Sequence, residues 1–415
     1  MNKLKIVLCF LIIYAAMCFV SLNRHSHAQP YSYHSELWAD KAGYNVYLPS
    51  VFIYHNVSFP DSLAAKTGYG FEIDSLSHKV ITKYPYGVAL LQSPFWLLAH
   101  ALSTDKTGYS IYYQRSVDFA GCFYLTLGLF FLFFTIREFR SKSLTILLLA
   151  TIAFSSGIFY YGIFETGMSH VYSFCCLSVI LFLFFKNTGH SSFIKFLWLG
   201  ILSAVFVMIR PVNILFLAPA LLFLLYYSKH LNFASLKTVT LGQFVAIGLA
   251  CFIIVFPQLL YYKYAFGSFL SNSYHKEPFF FPSLNRTITL LCSPHNGLLT
   301  YYPVIIALLI FSFYTKSVYS KLTVPLLIIY IILYASWWSL SLGCGFGHRA
   351  INDIIILLFL PVCFSNVKIP KLFYVLFLLF IVINIKFMFS YDGCLYKSDN
   401  WSYSEYFSIL FGEFK

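Results

Sequence analysis

Five short strings in this chain set ionisable or hydrogen-bonding residues where an apolar sequence has little reason to keep them. The first, Glu36-Leu37-Trp38-Ala39-Asp40-Lys41-Ala42-Gly43-Tyr44, reads as a short helical piece with Asp40 near its start. A lone Asp there can cap a helix or stay solvated, but an acid close to the membrane surface directly after an anchor helix also suits a functional role. Lys83-Tyr84-Pro85-Tyr86-Gly87 offers a cation among tyrosines, either a turn at a membrane surface or a substrate contact. Glu165-Thr166-Gly167-Met168-Ser169-His170 is a hairpin sequence, yet a hairpin needs only the small residues, not the acid and the histidine. Arg210-Pro211-Val212-Asn213 interrupts an apolar run. Its guanidinium could reach to lipid headgroups or hold a phosphate by paired hydrogen bonds. The longest string runs from Trp337 to Asp353 and contains Gly343-Cys344-Gly345-Phe346-Gly347-His348-Arg349. Its alternating glycines expose backbone amides to an approaching anion, with His348, Arg349 and Asp353 alongside.

These strings must be positioned by apolar helices. Of 415 residues, 59% are hydrophobic and only 10% charged, which excludes an ordinary soluble enzyme and a disordered chain. The remaining class is an all-α polytopic membrane protein. About eleven transmembrane helices are expected, at 4–22, 116–136, 143–164, 168–185, 193–209, 212–228, 238–262, 297–315, 322–342, 350–365 and 372–391. The first reads as a retained anchor in preference to a cleaved signal peptide, because Arg24 and His25 separate it from the weak Ser26-His27-Ala28 cleavage site. No internal repeat or linker is visible, so residues 1–391 read as one membrane domain, followed by a short outer-face tail at 392–415.

The net charge of +13 locates the faces. Segment 87–102 contains Gln92, Pro94 and His100 and is short for a span. With it on the outer surface, thirteen Lys and Arg face the cytoplasm against Glu138 alone, as the positive-inside rule requires. Residues 23–115 then form one long outer loop with interfacial helices, the N-terminus is cytoplasmic, and the C-terminus is periplasmic. Basic charge is a topology signal here, and no nucleic-acid partner is expected. Cys292, Cys344 and Cys394 fall on the outer side, where a disulfide can form; the other seven cysteines lie in apolar runs. The 33 tyrosines suit membrane aromatic belts as well as sugar binding.

An anchor helix, a large outer loop with an early Asp, a Tyr-Pro segment and a short-looped helical bundle together resemble the GT-C superfamily of membrane glycosyltransferases. The likeness is to the bacterial branch related to protein mannosyltransferases and lipid A aminoarabinose transferase. It rests on Asp40-Lys41-Ala42-Gly43-Tyr44, Lys83-Tyr84-Pro85-Tyr86-Gly87, Ile209-Arg210-Pro211 and Gly345-Phe346-Gly347-His348-Arg349, and covers about residues 1–390 by organisation. Two departures stand out. Relatives often carry Asp-Glu where this chain has Asp40-Lys41, and Pro-Pro where it has Tyr84-Pro85.

The resemblance implies an integral protein of the bacterial inner membrane that moves a sugar from a polyprenyl-phosphate carrier to a glycan, lipid or protein acceptor on the periplasmic face. Asp40 would be the base of an inverting attack. Arg210, His348, Arg349 and Lys83 would bind the donor phosphate. Tyr44, Tyr84, Tyr86, Glu165, His170 and Asp353 would line the sugar or acceptor pocket. The family contains both metal-dependent and metal-independent enzymes, so a divalent cation is compatible, and no ligand cluster is legible in the sequence. A lipid-linked-sugar transporter or flippase, and a polysaccharide polymerase or ligase, are the competing readings.

Overall fold

The computed structural model describes residues 3–55, 59–74, 76–274, 277–390 and 402–412. They form an almost wholly helical chain that divides into two compact units. The first unit comprises 1–131, 161–217 and 224–274, and the second 132–160, 218–223 and 275–415.

The first unit begins with the apolar helix α1 (Lys3–Arg24). Three short helices follow: α2 (Asp40–Asn45), α3 (Tyr47–Phe52) and α4 (Ser62–Lys66). Among the described residues the only strands are the two-residue pair Glu72–Ile73 and Val80–Ile81, antiparallel. Next come α5 (Gly87–Leu102) and α6 (Ile111–Ile136), which carries the chain out of the unit at its far end. Beyond α1, the segment up to α6 has its own core of Leu37, Val46, Phe59, Phe71, Trp96 and Tyr113.

The second unit opens with α7 (Lys142–Phe154), capped by the Ser141 hydroxyl, and the start of α8 (Ile158–Ile163). One continuous helix over 143–164 is therefore not what forms. Ser155 and Ser156 turn their hydroxyls back onto the carbonyls of Thr151 and Ile152, and the freed Gly157 amide donates to Asn352. Such local side-chain bonds compete with the helix ladder.

Back in the first unit are α9 (His170–Phe185), α10 (Ser192–Ile209), parts of α11 (Ile214–Tyr227), α12 (Phe233–Leu236) and α13 (Leu241–Phe266). A Thr240–Gln243 capping box starts α13 and left-handed Gly267 ends it. Helix α10 packs on α9, α13 and α5.

The rest of the second unit is α14 (Leu284–Cys292), α15 (Leu298–Tyr301), α16 (Val304–Thr315), α17 (Ser320–Ser336), α18 (Ile355–Phe364), α19 (Lys371–Ser390) and α20 (Tyr403–Phe411). Its core is α18, buried along its whole length and packed on α16, α17 and α7.

Each of the eleven expected spans overlaps an apolar helix, but among the described residues five are long and apolar enough to cross a membrane: α1, α6, α10, α13 and α19. The others run 10–17 residues, and at about 1.5 Å per residue they fall short of a hydrocarbon core ~30 Å thick. Pro303 separates α15 from α16, and 3-10 turns at Pro211–Asn213 and Arg349–Asp353 shorten α11 and α18. Helix α13 buries only 6% of its most apolar stretch within the protein, so lipid is the solvent that suits it.

Candidate functional site

Asp40 is the first residue of α2, and three close approaches fix it there. Ala39 before it takes a left-handed φ of 48°, and its amide donates to Thr67 O at 2.8 Å. A side chain at Gly70 would strike Ala39 O at 1.8 Å. A Cβ on Gly43 would lie 2.2 Å from Gly70 O and 2.5 Å from the Tyr84 ring. These positions require glycine because backbone packs directly on backbone.

The Lys83–Gly87 string is sewn against the same helix. Thr82 Oγ1 donates to Gly43 O at 3.0 Å, and the Tyr47 hydroxyl donates to Tyr84 O at 2.6 Å. The Tyr44 and Tyr84 rings lie 4.2 Å apart. Burial, and after it the negative charge of Asp40, hold the Tyr84 hydroxyl well above the ordinary tyrosine range, so it is a neutral donor beside that carboxylate. The Lys83 ammonium sits 5.2 Å from the Tyr84 ring and 5.8 Å from that of Tyr274. The Tyr86 amide donates to Gln258 Oε1 at 2.9 Å, which ties the string to α13. Gly87 meets the backbone of Met208 and Ile209, so the Arg210 end of α10 abuts this string.

Glu165 accepts an ion pair from Lys41 at 2.8 Å. Lys41 is thus buried as a countercharge. His170, at the start of α9, is buried with its ring 4.6 Å from that of Tyr161. The Tyr44 hydroxyl donates to Ser169 Oγ at 3.2 Å. The first unit therefore gathers Asp40, Tyr44, Lys83, Tyr84, Tyr86, Glu165, His170 and Arg210 around α2 and its neighbours.

His348, Arg349 and Asp353 belong to the second unit. His348 is buried against the Tyr330 hydroxyl and the edges of Tyr330 and Tyr334. Gly347 has φ +60°, and a Cβ there would meet the Tyr302 hydroxyl at 2.6 Å. Tyr302 donates to Phe346 O at 2.8 Å. Asp353 is buried, and Arg349 is half-buried. Cys344 is disulfide-bonded, Cys292 is free, and Cys394 lies outside the described residues. The same unit has a cavity of about 380 Å³ lined by Arg286, His295, Trp338 and Ser339. There Arg286 is already committed to the carbonyls of Ala335 and Trp337.

A second group of charges in the first unit escaped the sequence reading. His25, Glu36 and Asp118 are buried together, with Arg115 at their edge. Arg115 Nη1 lies 2.5 Å from Glu36 Oε1 and 3.3 Å from Asp118 Oδ2, while Nη2 donates to His25 O at 2.6 Å. Burial and then the charge of Asp118 push the Glu36 carboxyl up to about 8. Burial alone would lower the His25 imidazole, but Asp118 and then Glu36 outweigh it and raise it. The signal was present in the sequence: Arg115 and Asp118 sit in the opening turns of an apolar helix, where charge is costly unless it is paired.

Compared with protein-family models, with curated proteins and with solved structures, the chain shows no match.

Proposed function

We propose that the chain is a membrane glycosyltransferase that moves a sugar from a polyprenyl-phosphate carrier to a lipid, glycan or protein acceptor. The observation that supports it most is the placement of Asp40. It lies partly exposed at the first turn of a short helix just beyond an apolar anchor, on a face built from Tyr44, Tyr84 and Lys83. In this reading Asp40 accepts the proton of the acceptor hydroxyl as that oxygen attacks the anomeric carbon, and the carrier phosphate leaves from the opposite side. Lys83 and Arg210 stabilise the charge gathering on the phosphate. Tyrosine faces seat the sugar, and Tyr84 donates to the Asp40 carboxylate to keep it oriented. The topology that goes with this function has eleven crossings in a bacterial inner membrane, six of them by helices shorter than the bilayer core, with α5 lying on the periplasmic surface.

The test is transfer by the purified full chain in detergent, given labelled sugar on polyprenyl phosphate and, separately, a glycan on polyprenyl pyrophosphate. Product from the monophosphate donor that vanishes in Asp40→Asn supports the proposal. Full activity in Asp40→Asn overturns the catalytic assignment. Turnover of the pyrophosphate donor alone supports a polymerase or ligase. Movement of intact lipid-linked sugar across vesicles without transfer supports a flippase.

A further inference from the structure

The buried cluster of His25, Glu36 and Asp118 has a chemistry of its own, and it stands independently of the transferase reading. His25 Nε2 lies 3.1 Å from Phe164 O. A carbonyl can only accept, so the hydrogen of the neutral ring belongs to Nε2, and Nδ1 presents a lone pair. That atom lies 2.9 Å from Asp118 Oδ1 and 3.8 Å from Glu36 Oε1, without the alignment a hydrogen bond to either requires. Three electron-pair donors therefore converge on one point with protein on every side: His25, Glu36 and Asp118 are 4%, 2% and 0% exposed. Arg115 contacts both carboxyl groups, and it approaches from the rim.

We propose that this cluster is a divalent-cation site, taking a zinc-type ion through His25 Nδ1, Glu36 Oε1 and Asp118 Oδ1. One ligand atom from each of the three residues lies within 4.8 Å of the other two. Tetrahedral bonds of about 2.0–2.2 Å set ligands about 3.3–3.6 Å apart, a spacing that the 2.9 and 3.8 Å separations bracket. One imidazole with two carboxylates favours zinc, cobalt or manganese over magnesium or calcium, which prefer oxygen alone.

The surroundings are those a metal site needs. The Phe164 carbonyl fixes the histidine tautomer, and Ser21 and Thr166 donate to Asp118 Oδ1 at 2.9 and 3.1 Å. The ion would tie the end of α1, the 25–39 segment and the start of α6 together a few residues before Asp40. Its role is to hold the first outer segment in place, and no step of sugar transfer passes through it.

The experiment uses the full chain purified in detergent without chelator. Elemental analysis is expected to find one zinc-type ion per chain. After chelator treatment, added Co²⁺ is expected to give the visible absorption of a low-symmetry nitrogen–oxygen site, and Zn²⁺ to bleach it. His25→Gln should abolish that absorption. Thr166→Val, which keeps all three ligands, should weaken Zn²⁺ binding by about 10-fold, the cost of losing an outer hydrogen bond. A wild-type chain that retains no metal and gives no Co²⁺ absorption overturns the proposal, and leaves a proton on His25 as the missing charge. So does a folded His25→Gln chain with an unchanged spectrum. None of these readouts depends on activity, so failure here is distinguishable from failure of the transferase reading.

Discussion

Glu36 and Asp40 are acids on the segment that follows α1, separated by three residues, and they meet opposite fates. Glu36 is 2% exposed, and its carboxylate is gripped by Arg115 beside Asp118. Asp40 begins α2 partly exposed, facing a tyrosine that donates and a lysine held among aromatic rings. Left-handed Ala39 separates the two, turning the chain so that one acid goes inward and the next emerges. A buried acid with a guanidinium partner is committed to holding structure, because removing the guanidinium leaves its carboxyl group without partner or solvent. An acid at a helix start, with water within reach, can change its protonation in a reaction cycle. Proximity in sequence says little about role; burial and the permanence of the partner decide it.

If that division is right, substitutions on the two sides fail in different ways. The largest effect is expected for Asp40→Asn. Loss of a general base costs ~10²–10⁴ in rate, and a neutral amide of the same shape leaves the packing of α2 alone. Initial rates with labelled donor should collapse while the melting midpoint of the purified protein stays put. A large drop in stability would move Asp40 to the structural side.

Next comes Arg115→Met, which removes the fixed countercharge from the buried cluster. Breaking a buried pair while its partners remain costs about 3–5 kcal/mol. The expected outcome is loss of stability first, read as a fall in the heat-resistant fraction by gel filtration, with activity per folded molecule nearly intact. A stable Arg115→Met chain lacking activity would put the cluster on the catalytic side. Gly43→Ala tests the joint between the two regions. Its methyl would need space now held by Gly70 O and the Tyr84 ring, and overpacking of this kind costs about 1–3 kcal/mol. Stability and rate should fall together, since α2 carries Asp40.

The sequence made one of these regions readable and hid the other. Asp40 and the Lys83–Gly87 string stand out because each is a local run of unusual composition, and the structure sets the two side by side through Thr82, Gly43 and Tyr47. The cluster of His25, Glu36, Arg115 and Asp118 draws its residues from distant parts of the chain, and the one local signal, charge at the start of apolar α6, names neither His25 nor Glu36. The helices divide the same way. Long apolar runs such as α1, α13 and α19 are legible because a helix facing lipid must be apolar along its whole length. The break after Phe154 is not, because Ser155 and Ser156 are compatible with a continuous helix until Asn352 offers the Gly157 amide a partner from far along the chain. Nor does apolarity reveal length: α18 is buried on all sides in protein yet only 10 residues long.

Tyr84→Phe is the smallest and most discriminating change. The hydroxyl lies against the Asp40 carboxylate, and removing it leaves the ring, its contact with Tyr44 and the Lys83 cation above it. Only one donor is lost, and a single hydrogen bond to a charged group is worth about 1.5–3 kcal/mol. Because Asp40 keeps some access to water, the lower end applies, and the transfer rate should fall about 10-fold with little change in stability. The pattern matters more than the size. If Tyr84 orients the base, Tyr84→Phe should have no further effect once Asp40 is already Asn, so the double variant should match Asp40→Asn alone. Additive losses would mean that Tyr84 touches substrate directly and that the two residues act separately on the exposed side of the comparison.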